Sequence, residues 1–379
     1  MKFATKVLHA GIEPDPTTGA IMTPIYQTST FVQASPGQHK GYAYARGKNP
    51  TRSQLEKNLA AIENAKYALC FSSGMGATDA VIKLLKPGDE VITGDDLYGG
   101  TYRMFTKVFA QFGIKFHFIN LTDSNNIRKY LNPQTKMIWV ETPTNPTMQI
   151  VDIKACSEIA KAHQCLLAVD NTFASPYLQN PIDQGADIVM HSVTKYLGGH
   201  SDVIMGALCV NDDAIYERLA FIHNSCGATP GPMDSFLVLR GIKTLHLRME
   251  RHCFNGRKVA EFLKTHPKID KVYWPGFTDH PNHAIAKKQM RDFGGMISFD
   301  IKSRSKDEAF KIASSVNVFS LAESLGGVES LINHPASMTH ASVPAEERAR
   351  VGVTDSLLRL SVGIEDIDDL IEDLKQALS

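Results

Sequence analysis

Apolar residues in the middle of this chain come in short runs, and the runs are spaced by segments with helical periodicity. YALCFSS (67–73), EVITG (90–94), KFHFIN (115–120), KMIWVE (136–141), CLLAVDN (165–171), ADIVMHS (186–192) and GALCV (206–210) all have strand length. Ahead of the first run, NPTRSQLEKNLAAIENA places Leu55, Leu59 and Ile62 on one helical face, with Pro50 and Thr51 as start signals. Strands separated by helices predict an α/β fold: a mainly parallel, doubly wound sheet with helices on both faces.

The flanks follow other rhythms. Residues 1–45 carry Pro, Gly, Thr and Gln with little periodicity, which predicts an extended N-terminal arm that needs another surface to lie on. The large domain then runs over 46–246. From 247 onward an amphipathic stretch, LRMERHCFNGRKVAEFLKTHP, leads to VYWPG and to FGGMISFDI, a strand entered through a glycine pair. Helices near 306–315 and 366–378 and a strand in LLRLSVG complete a smaller C-terminal α+β domain, 247–379.

Bulk composition narrows the function classes. A length of 379 residues fits two domains, and 43% hydrophobic with 21% charged residues fits an ordinary soluble globular chain. Lys plus Arg and Asp plus Glu both number 40, so no net field favours nucleic acid or a membrane surface. Six scattered cysteines without a C-x-x-C pair predict buried free thiols in a reducing compartment. The N-terminus lacks the apolar core of a signal peptide, and no run approaches the roughly 20 apolar residues of a membrane span. A cytoplasmic location is expected. The histidines show no H-E-x-x-H or clustered spacing, so no metal is expected.

Candidate chemistry gathers at strand ends. In CFSSGMGATDAVIKLL (70–85) a strand gives way to Ser-Ser-Gly-Met-Gly and a helix. Such a turn either serves the tight bend alone or also offers backbone N–H groups and a helix dipole to a phosphate. It lacks G-x-G-x-x-G, and GYAYARGKN (41–49) fails as a Walker A loop, with five residues between its glycines and Asn49 in place of Ser or Thr. Asp170 closes a near-continuous apolar strand; it either caps the following segment or meets a cationic partner, since a lone charge there costs several kcal/mol. Lys195 follows ADIVMHS and should emerge at the carboxyl edge of the sheet, where ligands bind in open α/β folds. It either points to solvent or, desolvated, sheds its proton readily enough for Schiff-base chemistry. WVETPTNPT brings Glu141, Thr142 and Asn145 to the same edge, and GDDLYGGTY adds Tyr98 as an aromatic able to stack on a ring. A phosphate cradle, a buried carboxylate and a poised lysine together match pyridoxal phosphate.

With these residues in view, the sequence resembles the Cys/Met-metabolism family of pyridoxal-phosphate enzymes along nearly its whole length. The resemblance is carried by Y-x-R-x-x-N-P-T-R (44–52), S-S-G-M (72–75), Y-G-G-T (98–101), V-D-N-T (169–172), S-V-T-K-Y-L-G-G-H-S-D (192–202), L-A-E-S-L-G-G (321–327) and R-L-S-V-G (359–363). It implies fold type I, a large plus a small domain, and a homotetramer built as a dimer of dimers. By the same resemblance Lys195 carries the cofactor as a Schiff base and later moves the Cα and Cβ protons, and Asp170 pairs with the pyridine nitrogen. Ser73, Gly74, Met75, Ser192 and Thr194 match phosphate contacts, Thr172 is a further cofactor contact, and Tyr44 and Arg46 reach the phosphate of a neighbouring subunit. Tyr98 stacks over the ring and moves a proton near the leaving group. Arg359, with Ser324 and Asn145, clamps the substrate α-carboxylate, and Glu323 meets the distal ammonium of cystathionine. Arg103 is either a contact for the distal carboxylate or an ordinary surface arginine.

The implied activity is that of a cystathionine γ-lyase, with cystathionine γ-synthase as the alternative. Gly100 stands where methionine γ-lyases resemble one another in having cysteine, and Glu323 stands where β-lyases often have an aromatic, so both activities rank lower. Ala43 departs from the acidic residue that γ-acting enzymes commonly carry before the tyrosine of Y-x-R, which weakens the inferred distal contacts. A non-catalytic relative is disfavoured because Lys195, Tyr98 and Arg359 are all present.

Overall fold

The computed structural model describes every residue except Ser342. Strands Tyr67–Phe71 (β1), Glu90–Gly94 (β2), Lys115–Ile119 (β3), Thr135–Glu141 (β4), Leu166–Asp170 (β5), Ile188–Ser192 (β6) and Gly206–Val210 (β7) form one sheet in the order β1-β7-β6-β5-β4-β2-β3. All seven apolar runs are therefore strands. Strands β2 to β6 pair in parallel. Strand β7 runs antiparallel to both of its neighbours, β1 and β6, which the sequence pattern does not signal.

Alternation along the strands places helices on both faces. In β4, Met137 and Trp139 share a core with Ala77 and Val81 of the helix Gly74–Ile82. Ile138 and Val140 point the other way, into a core with Ile153 and Ile159 of the helix Ile153–His163. The helix Pro50–Glu63 begins where the sequence indicates: the side chain of Asn49 accepts from Thr51 N (3.0 Å) and Arg52 N (3.4 Å), and Pro50 needs no amide partner. Leu55, Leu59 and Ile62 are buried on its inner face.

Before this helix the chain is largely irregular, and it opens with a short helix, Phe3–His9, that packs on Pro50–Glu63 and on Leu245–Thr265. Further along, Ile21 and Val32 lie open to solvent, Val32 at 95% exposure.

The second sheet contains Ile269–Tyr273 (β8), Met296–Ile301 (β9), Ser320–Leu321 (β10), Leu331–Asn333 (β11) and Leu357–Ser361 (β12), ordered β10-β11-β12-β9-β8. Ile297, Phe299, Leu358 and Leu360 turn to one side and pack against the helices Leu245–Thr265, Lys306–Ser315 and Ile367–Ala377. The period of two sends Ser298, Arg359 and Ser361 to the opposite side. There Ser298 Oγ donates to the carbonyl of Pro146 at 2.6 Å, and Arg359 reaches Asn145, so this face of the small sheet meets the turn that follows β4. No helix among the described residues is long and apolar enough to cross a membrane.

Candidate active site

Five strand ends of the large sheet deliver the site. After β1, Ser73 caps the helix Gly74–Ile82 by accepting from Gly76 N at 3.0 Å. The amides of Gly74 and Met75 have no acceptor among the described residues, and both open the helix, where its dipole favours an anion. Glycine is needed here for close approach: a Cβ on Gly74 would come within 3.0 Å of Ser192 Cβ, and one on Gly206 would collide with the Ser73 carbonyl. Ser192, at the end of β6, is held by its amide, which donates to Thr172 Oγ1 at 2.8 Å. Thr194 Oγ1 donates to the Met205 carbonyl (3.2 Å) and accepts from the Met205 amide (3.0 Å), so its hydroxyl hydrogen is already engaged with β7's approach.

Lys195 is largely buried, with Nζ 2.7 Å from Ser324 Oγ. Burial pushes its ammonium down to about 8, Arg359 adds repulsion, and Glu323 pulls the other way. Its amine thus engages Ser324 rather than extending free into solvent. Ser324 has a φ of 89°, a left-handed conformation that costs a serine about 1–3 kcal/mol. Its strain is met by neighbours: its carbonyl accepts from Arg359 Nη2 at 2.9 Å, and Gly326 N donates to Ser361 Oγ at 2.8 Å. Arg359 is 1% exposed and also donates from Nη1 to Asn145 Oδ1 at 2.7 Å, while its Nε is buried without a partner. An unpaired guanidinium N–H in such a place suits a carboxylate ligand.

Asp170 and Glu141 are in-register neighbours at the ends of β5 and β4. Burial pushes both carboxyls up, Glu141 well above the usual range with the charge of Asp170 adding to the effect. Thr172 N donates to Asp170 Oδ1 at 3.0 Å, so Asp170 also caps the next turn, the other reading that its position allowed. Tyr98, 40% exposed at the start of the helix Gly99–Lys107, is anchored by its amide to Glu141. Gly100 lies beneath its ring; a Cβ there would clash with Tyr98 and approach Met75 Sδ to 3.1 Å.

Some expected residues stay apart within one chain. Tyr44 and Arg46 are exposed; Arg46 stands over the Tyr44 ring at 5.6 Å and donates to Asn224 Oδ1 at 3.3 Å, and neither hydrogen-bonds to the Ser73, Ser192 or Lys195 group among the described residues. Glu323 is exposed beside the site, close enough for its charge to act on Lys195 and Arg359. Arg103 is exposed on the helix Gly99–Lys107.

The sequence leaves His340 unmarked, and although it brings Glu141 to this edge it gives no sign of how that residue acts. His340 donates from Nε2 to the carbonyl of Asn145 (3.1 Å), and burial holds it neutral, down to about 4. Glu141 contributes through backbone amides, which no side-chain motif reveals. Of the six cysteines, Cys226 is exposed and the other five are buried.

A pyridoxal phosphate needs a neutral amine, an acid for its ring nitrogen, and donors for its phosphate. Lys195 with its depressed pKa, Asp170 buried at the end of β5, and the unpaired Gly74 and Met75 amides fit all three needs. Residues 4–379 match the model of the family described as Cys/Met metabolism PLP-dependent enzyme. The chain belongs to that family. Like the other members it is a pyridoxal-phosphate-dependent enzyme, and its two-sheet architecture is fold type I. It is 53% identical to the cystathionine gamma-lyase of Dictyostelium discoideum over 378 residues, covering 100% of this chain and 97% of that protein. It is 52% identical to the cystathionine beta-lyase of Coxiella burnetii (99% and 97% covered) and 51% identical to the cystathionine gamma-synthase of Mycobacterium bovis (99% and 96% covered). The crystal structure of cystathionine gamma-lyase from Lactobacillus plantarum complexed with L-serine superposes with a TM-score of 0.97 at 44% identity, covering 100% of this chain and 98% of that one. Family members this similar carry three different activities in their names, so the choice among them falls to individual residues.

Proposed function

We propose that this enzyme is a cystathionine γ-lyase, converting L-cystathionine and water to L-cysteine, 2-oxobutanoate and ammonia. The observation that carries the reading is the placement of Glu323, an exposed carboxylate whose charge acts on both Lys195 and Arg359. With the α-carboxylate of the substrate on Arg359, an acid at the mouth of the site is suited to the distal ammonium of cystathionine.

When bound, pyridoxal phosphate supplies a carbonyl that condenses with amines and a ring that accepts electron density from Cα. Lys195 would hold it covalently, Asp170 would pair with its ring nitrogen, and Ser73, Gly74, Met75, Thr172, Ser192 and Thr194 would surround its phosphate side. Arg359, oriented by Asn145 and Ser324, fixes the substrate carboxylate. Freed when the substrate amine takes its place, Lys195 Nζ, neutral for much of the time near pH 8, would take the proton from Cα, hand it on, and then be free to take one from Cβ. Tyr98 would stack over the cofactor ring and give a phenolic proton to the departing sulfur.

Residues 1–45 act in this reading as an arm on a neighbouring subunit, preceding a large domain over 46–246 and a small domain over 247–379. Exposed Tyr44 and Arg46 then complete the phosphate site of the neighbour within a cytoplasmic homotetramer.

A second reading, cystathionine γ-synthase, is supported by the 51% identity to the cystathionine gamma-synthase of Mycobacterium bovis, and Ala43 weakens the distal contacts in either reading. The test supplies purified enzyme with L-cystathionine alone, then with an O-acyl-homoserine and cysteine. Faster release of 2-oxobutanoate and cysteine from cystathionine supports the lyase, faster formation of cystathionine from the ester supports the synthase, and homocysteine with pyruvate overturns both.

A further inference from the structure

Glu141 has a bonding pattern that its position at a strand end does not require. Its Oε2 accepts the amide of Tyr98 at 3.0 Å, and its Oε1 accepts the amide of Asn145 at 3.1 Å. These amides belong to two separate loops, one after β2 and one after β4. A second carboxylate, Asp96, also joins the loops through the hydroxyls of Thr144 and Thr147, yet it touches neither Tyr98 nor Asn145. Glu141 and its bond to the Asn145 amide are buried, so that amide would find no water in exchange if it lost its acceptor.

We propose that Glu141 is a positioning residue, whose single carboxylate sets the spacing between Tyr98 and Asn145 and so ties the ring side of the site to its carboxylate clamp. The proposal rests on the roles given above to those two residues. The coupling runs through bonds already described: Asn145 is held by its amide to Glu141 and by its Oδ1 to Arg359, so a shift of the amide displaces the guanidinium. Only a carboxylate of this length serves. Glutamine has one acceptor oxygen, and its amide nitrogen would face an N–H, leaving one of the two loops without a partner. Aspartate is a methylene shorter and cannot reach both amides.

The test compares the holoenzyme with Glu141→Gln by hydrogen exchange resolved to the Tyr98 and Asn145 amides, visible circular dichroism of the bound cofactor, and steady-state kinetics. Exchange is expected to accelerate at both amides, with a changed dichroic band and KM for the amino-acid substrate raised about tenfold, the equivalent of about one lost hydrogen bond. A variant that melts earlier with exchange at both amides and the dichroic band unchanged overturns the proposal, because a merely structural carboxylate would behave so. Should Glu141→Gln not fold, the wild-type holoenzyme decides: matched protection of both amides supports the proposal, and rapid exchange at either overturns it. Exchange does not depend on turnover, so coupled amides in an enzyme inactive on cystathionine would remove the functional reading and leave the positioning one standing.

Discussion

Arg359 and Asn145 lie 214 residues apart in the chain, yet Nη1 of one donates to Oδ1 of the other at 2.7 Å. One residue comes from the polar face of the small sheet and the other from the turn after β4, so the pair proposed to clamp the substrate carboxylate forms only when the two sheets are docked. Arg359→Lys keeps the charge but loses the planar fork, and its ammonium cannot bond Asn145, Ser324 and a substrate together. KM should rise about ten- to hundredfold, the equivalent of one charged hydrogen bond, with the cofactor absorbance retained. Steady-state kinetics alongside a visible spectrum checks this.

The depressed pKa of Lys195 makes the assembly of the holoenzyme pH-dependent. An amine attacks an aldehyde only when deprotonated, and here burial brings the group from 10.5 to about 8. The rate at which apoenzyme takes up pyridoxal phosphate should therefore climb through pH 8 and flatten above it. Ser324→Ala removes the acceptor that favours the charged form, so the midpoint should move lower. Stopped-flow absorbance across pH gives both values; a rate still climbing at pH 10 would mean an ordinary lysine.

Gly100→Ala tests how closely Tyr98 must stand. The added methyl would occupy space that the tyrosine ring now fills, and because that ring is partly exposed it should swing outward and let the fold survive. A fall in kcat of about ten- to a hundredfold is expected, since misplacing a proton donor costs that much. The melting temperature should change little. Calorimetry and kinetics on the same preparation separate the two effects.

Glu323→Gln should raise KM for cystathionine while leaving a substrate without a distal ammonium nearly untouched. An exposed ion pair contributes about 0.2–1 kcal/mol, so the expected change is only about twofold to fivefold. Comparing cystathionine with an O-acyl-homoserine on one enzyme preparation shows the selectivity directly. Equal effects on both would deny Glu323 its role.

Arg52 is buried and donates to the carbonyls of Ala45 (3.0 Å), Arg46 (3.1 Å) and Gly47 (2.7 Å). It thus pins the turn that presents Tyr44 and Arg46. Arg52→Met should loosen that turn and weaken cofactor binding about tenfold, each lost bond being of the charge-assisted kind. Titration of the apoenzyme with pyridoxal phosphate provides the affinity, and sedimentation shows whether assembly changes alongside.

Strands with long apolar runs, such as KMIWVE and CLLAVDN, are legible because Met137 to Glu141 and Leu167 to Asp170 are buried on both faces of the sheet. The start of the helix Pro50–Glu63 was legible because Asn49 and Pro50 each satisfy the first turn in a way few other residues do. Direction was not: GALCV reads the same whether β7 runs up or down, so its antiparallel insertion left no trace. Strands β10 and β11 span two and three residues, too few for any periodicity to register. Within the site, Lys195 and Asp170 stand out as charges at the ends of apolar runs, whereas Arg359 is marked only by the family resemblance. The contribution of Glu141 lies in backbone amides, and that of Ser324 partly in a backbone angle, and neither is written in side-chain identity.

The insertion of β7 between β1 and β6 also bears on how the chain is made. Strand β1 has no other neighbour in the sheet, so from the moment residue 71 emerges from a ribosome it waits for residues 206–210 before it can pair. At about 5–20 residues per second that interval is on the order of ten seconds, during which an apolar strand stands without its ladder. The turn at Ser73 cannot come to rest beside Ser192 any sooner, because the backbone of Gly206 lies against it. Slow elongation across this stretch, or a scarcity of chaperone, would expose the nascent chain to mispairing long before its small domain exists.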